Sequence, residues 1–162
     1  MAPVRSCHDE TQGVSDGPVR RYRAAFMDAF EAIETVRQTV ADYDWVRWCY
    51  VFGSVARGGS FRDVDVAVMP TTGATALSLG ALVATLEQQA GCKVDLVDLT
   101  STDLPFVGPM LRERIVVLDR EPDARRDWEV DMTSRWIDFE PSYREYLDRR
   151  ERAAQLRRER RA

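Results

Sequence analysis

The chain has 162 residues, which suits one folded domain with a sizeable core. Hydrophobic residues make up 44% of it and charged residues 31%, as in ordinary soluble proteins, and no apolar run is long enough to cross a membrane. The net charge of −4 argues against a general nucleic-acid binder, so no direct specific contact with nucleic acid is expected.

Cysteine usage and the N-terminal residues indicate the compartment. Cys7, Cys49 and Cys92 lack the spacing of a metal site, and the last two lie in apolar segments that favour buried thiols. The N-terminus lacks the apolar segment of a signal peptide. These features predict a reducing, cytoplasmic location. The single histidine, His8, lies near the N-terminus in an irregular segment, so histidine-based acid–base chemistry is not expected.

Charge and composition divide the chain into a leader at 1–17, a domain at 18–147 and a tail at 148–162. The leader mixes Gly, Ser, Asp and Pro without periodicity, and it is expected to be disordered. The tail carries seven arginines against three acidic residues. It has no apolar stripe, so a frayed or disordered end is predicted.

The first half of the domain predicts a helix and two strands. Apolar residues at helical spacing indicate a helix over roughly 19–42, with Asp16 as its candidate cap. Val46 to Phe52 is a dense apolar run with aromatic residues, which favours a strand. The Gly-Ser pair that follows should begin a short helix. Asp63 to Met69 alternates polar and apolar residues as a second strand.

The second half predicts three further elements before the C-terminal region. A helix is expected over 74–90, with Gly91 as its C-terminal cap. Lys93 to Leu99 is the third strand. Two prolines predict that 101–114 is a broken helix or a loop. A short strand at 115–118 is placed at a sheet edge.

Glu121 begins a final helical region, which Pro141 should kink or divide. This order of short strands and helices predicts an α+β fold. We expect a small mixed sheet with helices packed on one face, followed by a C-terminal helical region.

The segment from Val51 to Val68 contains the pattern with the clearest chemical meaning. Its second strand begins with Asp63 and Asp65, whose side chains share one face because side chains alternate along a strand. Two carboxylates on one face repel each other unless a cation lies between them. Mg²⁺ takes one or two carboxylates together with phosphate oxygens. These two aspartates are therefore candidate metal ligands.

The turn before this strand offers groups that bind phosphate. Gly53 lets backbone N–H groups approach a phosphate closely, and the Ser54 hydroxyl adds a donor. Arg57 has a planar fork that matches phosphate oxygens. Phosphate donors and metal carboxylates in one short segment suggest nucleotide chemistry.

A third carboxylate comes from the next strand. Lys93 and Asp95 share one face of it, and the aliphatic Val94 and Leu96 share the other, which therefore points to the core. Asp95 then lies on the open face, where it can join the two earlier aspartates. Asp98, near the end of the strand, is better suited to cap the next turn.

The Gly-Ser-x-Ala-Arg-Gly turn followed by Asp-x-Asp resembles the nucleotidyltransferase (polymerase-beta-like) superfamily. The closest resemblance is to the minimal nucleotidyltransferases, whose MntA-type members are antitoxins encoded beside HEPN-domain ribonuclease toxins. The KVDLVDL strand resembles the strand that carries the family's third acidic residue. Residues 111–118 and 136–143 resemble the C-terminal half of that subgroup, and roughly 20–147 are covered. The spacer from Ser54 to Asp63 is shorter than is usual in the family.

This resemblance implies that the chain transfers AMP from ATP to a tyrosine of a cognate HEPN toxin and so silences the toxin. The implied cofactor is Mg²⁺, with two ions, and the implied assembly is a hetero-oligomer with the toxin. The implied catalytic and metal-binding residues are Asp63, Asp65 and Asp95. The implied nucleotide-binding residues are Gly53, Ser54 and Arg57.

Two other functions remain open. A small-molecule nucleotidyltransferase of the aminoglycoside-modifying type would usually carry an additional acceptor-binding domain. A catalytically inactive module that neutralises the toxin by binding is favoured only by the short spacer. The aromatic residues Trp128, Trp136 and Tyr143 could form a docking surface or could simply pack on the sheet.

Overall fold

The computed structural model describes residues 27–160. In this part of the chain, five helices and four strands follow one another in a mixed α+β order. They are α1 (Ala29–Ala41), β1 (Val46–Phe52), α2 (Gly53–Ala56), β2 (Asp63–Pro70), α3 (Ala76–Ala90), β3 (Lys93–Asp98), α4 (Leu104–Glu113), β4 (Ile115–Asp119) and α5 (Pro122–Glu159).

The four strands form one sheet in the order β3-β2-β1-β4. The central strand β1 runs antiparallel to both β2 and β4, and β2 runs parallel to β3. This arrangement confirms the predicted small mixed sheet, with β4 at its edge. The parallel pair is joined by α3, the crossover helix that parallel neighbours require.

The first face of the sheet is covered by α1 and α3, which are the predicted layer of helices. Its fully buried residues include Ala32, Val36, Val40, Val51, Val64, Val66, Val68, Leu82 and Leu86. α3 ends at Gly91, whose φ of 66° is the left-handed conformation of a helix cap, as predicted. Because the valines of β2 point into this core, the aspartates between them lie on the opposite face.

The C-terminal helices α4 and α5 cover part of that opposite face. The buried cluster there comprises Trp48, Tyr50, Ala67, Met69, Leu99, Val107, Met110 and Leu111, with Trp128 and Met132 packed against it. Trp136 is also buried, and a Cβ on Gly108 would lie 2.2 Å from its ring. α4 and α5 therefore pack closely at Gly108. The prediction that these aromatic residues pack on the sheet holds for Trp128, whereas Trp136 packs on α4 and Tyr143 stacks on Phe139 beside Trp136.

A group of charged residues fixes α5 to the sheet. The Glu129 carboxylate accepts hydrogen bonds from the Tyr50 hydroxyl at 2.7 Å and from the guanidinium groups of Arg114 and Arg125. Arg125 also donates to Asp119 at the end of β4, at 2.9 Å. Several charge-assisted bonds to one part-buried carboxylate define the position of α5 against β1 and β4.

Proline affects the C-terminal half less than the sequence predicts. Residues 104–113 form one helix, not a broken helix or loop. Pro105 lies in the first turn, where its missing N–H has no helical partner to lose. Pro109 costs one hydrogen bond, and the burial of Val107, Met110 and Leu111 offsets that cost.

The helix α5 is likewise continuous through Pro141, so of the two outcomes predicted for this proline, a kink or a division, the division is wrong. Pro141 has no N–H to donate to the carbonyl of Ile137, so α5 loses one helical hydrogen bond there, as α4 does at Pro109. Residues 148–159 extend the same helix, and the prediction of an irregular end is wrong for them. Pairs four residues apart, such as Arg149 with Glu145, support this exposed helical end.

Several predictions concern residues 1–26, which lie outside the described part of the chain. They are the leader, the cap at Asp16 and the first turns of the helix expected over 19–42. Within the described residues the helix is α1, which begins only at Ala29 after a capping box formed by Asp28 and Glu31, so the prediction of a helix that runs through residues 27 and 28 is wrong. No helix among residues 27–160 is long and apolar enough to span a membrane.

Candidate active site

The sheet brings the three predicted carboxylates to one face and one end of the β2–β3 pair. β2 and β3 are parallel, and their register places Asp65 opposite Asp95 and Asp63 opposite Lys93. Asp63, Asp65 and Asp95 therefore share the face opposite α1 and α3, as predicted. On its other side, Asp65 is the register partner of Phe52, the last residue of β1.

The turn after β1 lies directly against one of these carboxylates. A Cβ on Gly53 would lie 2.1 Å from Oδ2 of Asp65, and the φ of Gly53 is +67°. Two independent constraints therefore require glycine here, because a side chain would be strained by the backbone and would also displace the carboxylate. The close approach of the Gly53 backbone links the predicted phosphate-binding turn to the predicted metal-binding strand.

The negative charge around Asp65 is only partly balanced. Burial raises the pKa of this carboxyl above its ordinary value, and the neighbouring charges of Asp63 and Asp95 raise it further. Arg57 and Lys93 oppose this increase in the pKa. A carboxylate whose charged form is disfavoured in this way is suited to bind a cation.

We expect Asp65→Asn to stabilise the metal-free fold at neutral pH. A carboxyl with a raised pKa in the folded state holds its proton more tightly there than in the unfolded chain, so its contribution becomes destabilising as pH rises through that interval. The amide removes this cost, so the free energy of unfolding at pH 7 should rise, by less than about 1 kcal/mol because solvent screens this partly exposed site. Urea denaturation with a chelator, at pH 7 and near pH 4, measures the difference.

The gain from Asp65→Asn should shrink at the lower pH, where the wild-type carboxyl binds its proton. Asp127→Asn is a suitable control because this exposed residue of α5 also loses one negative charge, but outside the site. Equal changes in the two variants would show that the effect reflects only net charge.

Asp95 is held by a cation of its own strand. Its Oδ1 accepts a hydrogen bond from Nζ of Lys93 at 2.5 Å. Among residues 27–160, no three acidic, histidine or cysteine side chains are arranged to hold a metal ion. The structure therefore brings the three aspartates to one face but directs the third toward Lys93.

The loop between α2 and β2 is ordered by its own backbone. The N–H of Gly59 donates to the carbonyl of Ser54 at 3.2 Å, and Gly58 has a φ of +70°. The Ser54 side chain has no hydrogen-bond partner among the described residues and is part-exposed. Its hydroxyl is therefore free to donate to a ligand at the turn.

Arg57 lies at the end of α2 and bonds to the carboxylate of Glu113. Both side chains are about half exposed, so this pair contributes little stability and can exchange partners. Glu113 is the last residue of α4, and α4 also contacts the turn through Phe106, whose ring meets that of Phe52 edge-on at 5.5 Å. α4 thus borders the site beside β1.

Sequence reasoning placed Lys93 on the same strand face as Asp95 but assigned it no role in the site, and it overlooked Glu113 altogether. No local pattern indicated Glu113, since it is 56 positions from its partner Arg57 in the sequence.

Asp98 has the predicted role in the turn after β3. Its Oδ1 accepts hydrogen bonds from the N–H and the hydroxyl of Thr100 at 2.8 and 2.7 Å.

Solved structures with the same fold include toxin–antitoxin complexes. The chain is similar to a crystal structure of a toxin–antitoxin with AMP-PNP, with a TM-score of 0.60 and 20% identity over 72% of this chain and 95% of that one. It is also similar to the complex of a tri-AMPylated Shewanella oneidensis HEPN toxin with an MNT antitoxin, with a TM-score of 0.59 and 17% identity over 74% and 96% of the two chains. A third similar structure is the toxin–antitoxin MntA-HepT, with a TM-score of 0.57 and 16% identity over 72% and 94%.

A search of curated proteins finds no match to the chain. A family model described as polymerase beta, nucleotidyltransferase, matches residues 34–123, which are more than half of the chain. The matched region contains the turn at Gly53 and all three aspartates of the candidate site. The chain belongs to the polymerase beta nucleotidyltransferase family.

Proposed function

We propose that this nucleotidyltransferase is an antitoxin that transfers AMP from ATP to a tyrosine of a cognate HEPN ribonuclease toxin. The observation that carries the proposal is the contact between the Gly53 turn and Asp65, which joins phosphate-binding groups to a set of carboxylates. The same fold in antitoxins of MNT–HEPN complexes supports the choice of partner. A similar structure with AMP-PNP supports ATP as the nucleotide. The free thiols Cys49 and Cys92 are consistent with a reducing, cytoplasmic location.

The residues of the site fit Mg²⁺ held together with a triphosphate. Asp63 and Asp65 offer carboxylates on one face, and Mg²⁺ in proteins commonly takes one or two carboxylates plus phosphate oxygens. Asp95 would complete the set once its carboxylate leaves Lys93. When bound, Mg²⁺ neutralises phosphate charge and lowers the pKa of an attacking hydroxyl.

The other groups of the site would position the nucleotide. The Gly53 turn and the Ser54 hydroxyl would donate hydrogen bonds to phosphate oxygens, and Arg57 would bind them as a fork after leaving Glu113. The tyrosine oxygen would attack the α-phosphorus of ATP and pyrophosphate would depart. Asp95 would accept the proton that the tyrosine hydroxyl loses. Catalysis would then depend mainly on positioning and charge neutralisation.

A second candidate is a catalytically inactive module that silences the toxin by binding alone. It is favoured by the two internal ion pairs, because Arg57 and Asp95 are both occupied by residues of the chain itself. Both pairs are largely exposed and can be exchanged for ligands at little cost. The described residues 27–160 form one sheet with its helices, and no separate acceptor domain lies among them.

The deciding experiment incubates the full chain with ATP, Mg²⁺ and the HEPN protein encoded beside it. Intact mass measurement should show the toxin gaining AMP, and peptide mapping should place the AMP on tyrosine. Loss of ribonuclease activity without any mass change would instead establish the inactive module. Transfer of AMP to an added aminoglycoside but not to the toxin would favour the small-molecule enzyme.

We expect Ser54→Ala and Arg57→Ala to weaken the binding of Mg²⁺ and ATP. Ser54 loses one neutral hydrogen bond, for which about a threefold effect is expected, whereas Arg57 loses a charged contact, for which about tenfold is expected. Calorimetric titration of the full chain with a non-hydrolysable ATP analogue measures both effects.

Glu113→Gln is the matched control for this titration. It frees Arg57 from its internal partner while it leaves the guanidinium in place, so it should bind the analogue at least as tightly as the wild type does. Unchanged affinity in both alanine variants would remove the turn from the nucleotide site.

A further inference from the structure

Lys93 is the single lysine of a chain that has 22 arginines. It begins β3 on the site face, is the register partner of Asp63, and donates a hydrogen bond to Asp95 at 2.5 Å. Its charge also acts on Asp65, whose pKa it lowers. One ammonium group thus lies among all three candidate metal ligands.

The ion pair of Lys93 with Asp95 contributes little to the stability of the fold. The Lys93 side chain is 65% exposed and that of Asp95 is 47% exposed, and exposed pairs of this kind are largely screened by water. The hydrogen bond to Asp95 and the charges of Asp95 and Asp63 raise the pKa of Lys93, so the group stays charged. The pair affects electrostatics in the site more than it affects folding.

The ammonium and a metal ion would compete for the same carboxylate. Oδ1 of Asp95 is bonded to Lys93, and the described residues contain no set of three acidic side chains that is ready to hold a metal. A divalent ion brought by a triphosphate carries more charge than the ammonium and adds phosphate ligands, so it can replace Lys93. A bare metal ion lacks those additional ligands.

We propose that Lys93 is a positioning residue that holds Asp95 away from the metal site until a metal–triphosphate complex binds. The inference rests on the proposed function, since it assumes that Asp63, Asp65 and Asp95 form a metal site. In the protein without ligands, Lys93 is then the counter-ion of Asp95. Once displaced, its ammonium lies next to the anionic triphosphate.

The direct test is calorimetric titration of the full chain with Mn²⁺ alone, without nucleotide or toxin. Lys93→Met removes the competing charge but keeps an unbranched side chain, so it should bind Mn²⁺ about twofold to fivefold more tightly than the wild type does. Lys93→Arg keeps a cation and should stay close to the wild type. With Mg²⁺, ATP and toxin, Lys93→Met should reach half-maximal transfer at a lower Mg²⁺ concentration.

A cation near the site could weaken metal binding through its field alone, and two controls separate that effect from direct competition. Arg62→Met removes an exposed positive charge next to Asp63, and no ion pair of Arg62 with Asp95 exists in the described residues. This variant should change Mn²⁺ affinity less than Lys93→Met does. In an Asp95→Asn background, Lys93→Met should lose most of its effect, because the carboxylate for which it competes is gone.

The outcomes distinguish this inference from the proposed function. Equal effects of Lys93→Met and Arg62→Met, or an undiminished effect of Lys93→Met in the Asp95→Asn background, would overturn the inference and leave the metal site intact. If neither the wild type nor Lys93→Met binds Mn²⁺ alone, Lys93 is not what keeps the bare ion from the site and the inference fails, whereas the proposed function is still tested separately by AMP transfer to the toxin. Tighter binding that is confined to Lys93→Met and depends on Asp95 supports both.

Discussion

Asp63→Asn and Asp65→Asn are each expected to reduce AMP transfer by at least about a hundredfold while the fold is retained. Each amide keeps the shape of the side chain but removes one charge from the candidate metal site. Both residues lie on the site face and not in the core formed by the valines of β2, so the variants should unfold cooperatively, as the wild type does. Single-turnover transfer to the toxin, followed by mass measurement, gives the rate, and circular dichroism checks the fold.

Asp98→Asn is the control for these two variants. Asp98 lies on the same parallel strand pair but bonds to Thr100 in the following turn, so its loss should be mild. In cells, the two site variants should fail to protect against the toxin if silencing is chemical, and they should still protect if binding alone is sufficient. A folded double variant that transfers AMP at close to the wild-type rate would contradict the proposed mechanism.

Gly53→Ala is expected to damage both stability and activity. At a φ of +67° a Cβ is strained, and it would lie 2.1 Å from the Asp65 carboxylate, so the turn or the carboxylate must move. The two effects together should cost about 2–4 kcal/mol of the free energy of unfolding. Transfer activity should fall much further than the residual stability explains, because Asp65 and the phosphate-binding turn lose their mutual position.

Gly91→Ala separates the backbone strain from the displacement of Asp65. Gly91 has nearly the same φ, +66°, but a Cβ there meets nothing within 4 Å, and the residue ends α3. The Gly91→Ala variant should lose only about 1–2 kcal/mol of the free energy of unfolding and should keep its transfer activity. Urea denaturation and the transfer assay compare the two variants. Equal losses of activity in both would mean that the contact of Gly53 with Asp65 is unimportant.

Local patterns in the sequence were sufficient for the elements that carry the site. Alternation along β2 places its valines inward and Asp63 and Asp65 outward, because the strand period of two holds wherever one face is buried. The same period predicts the face of Asp95. Gly91 and Asp98 could also be assigned locally, since a left-handed cap and a side-chain-stabilised turn depend only on neighbouring residues.

Tertiary packing, and not the local sequence, decided whether a helix continues through a proline. α4 tolerates Pro109 because its apolar residues are buried against the sheet, and α5 continues through Pro141 beside Glu140, which pairs with Arg112 of α4. The cost of a proline is local, but the burial that offsets it comes from residues distant in sequence. A rule based on the sequence alone therefore breaks these helices too early.

The sequence by itself determined which residues carry the candidate chemistry and which face of each strand they occupy. Only the tertiary structure decided how those groups are arranged: the parallel register that sets Asp65 beside Asp95, the contact of Gly53 with Asp65, and the pairing of Arg57 with Glu113. The physical reason is the distance along the sequence over which each feature is determined. Side-chain direction follows from the backbone period within a few residues, whereas register and ion pairing depend on how separate elements pack, which no single segment of the chain encodes.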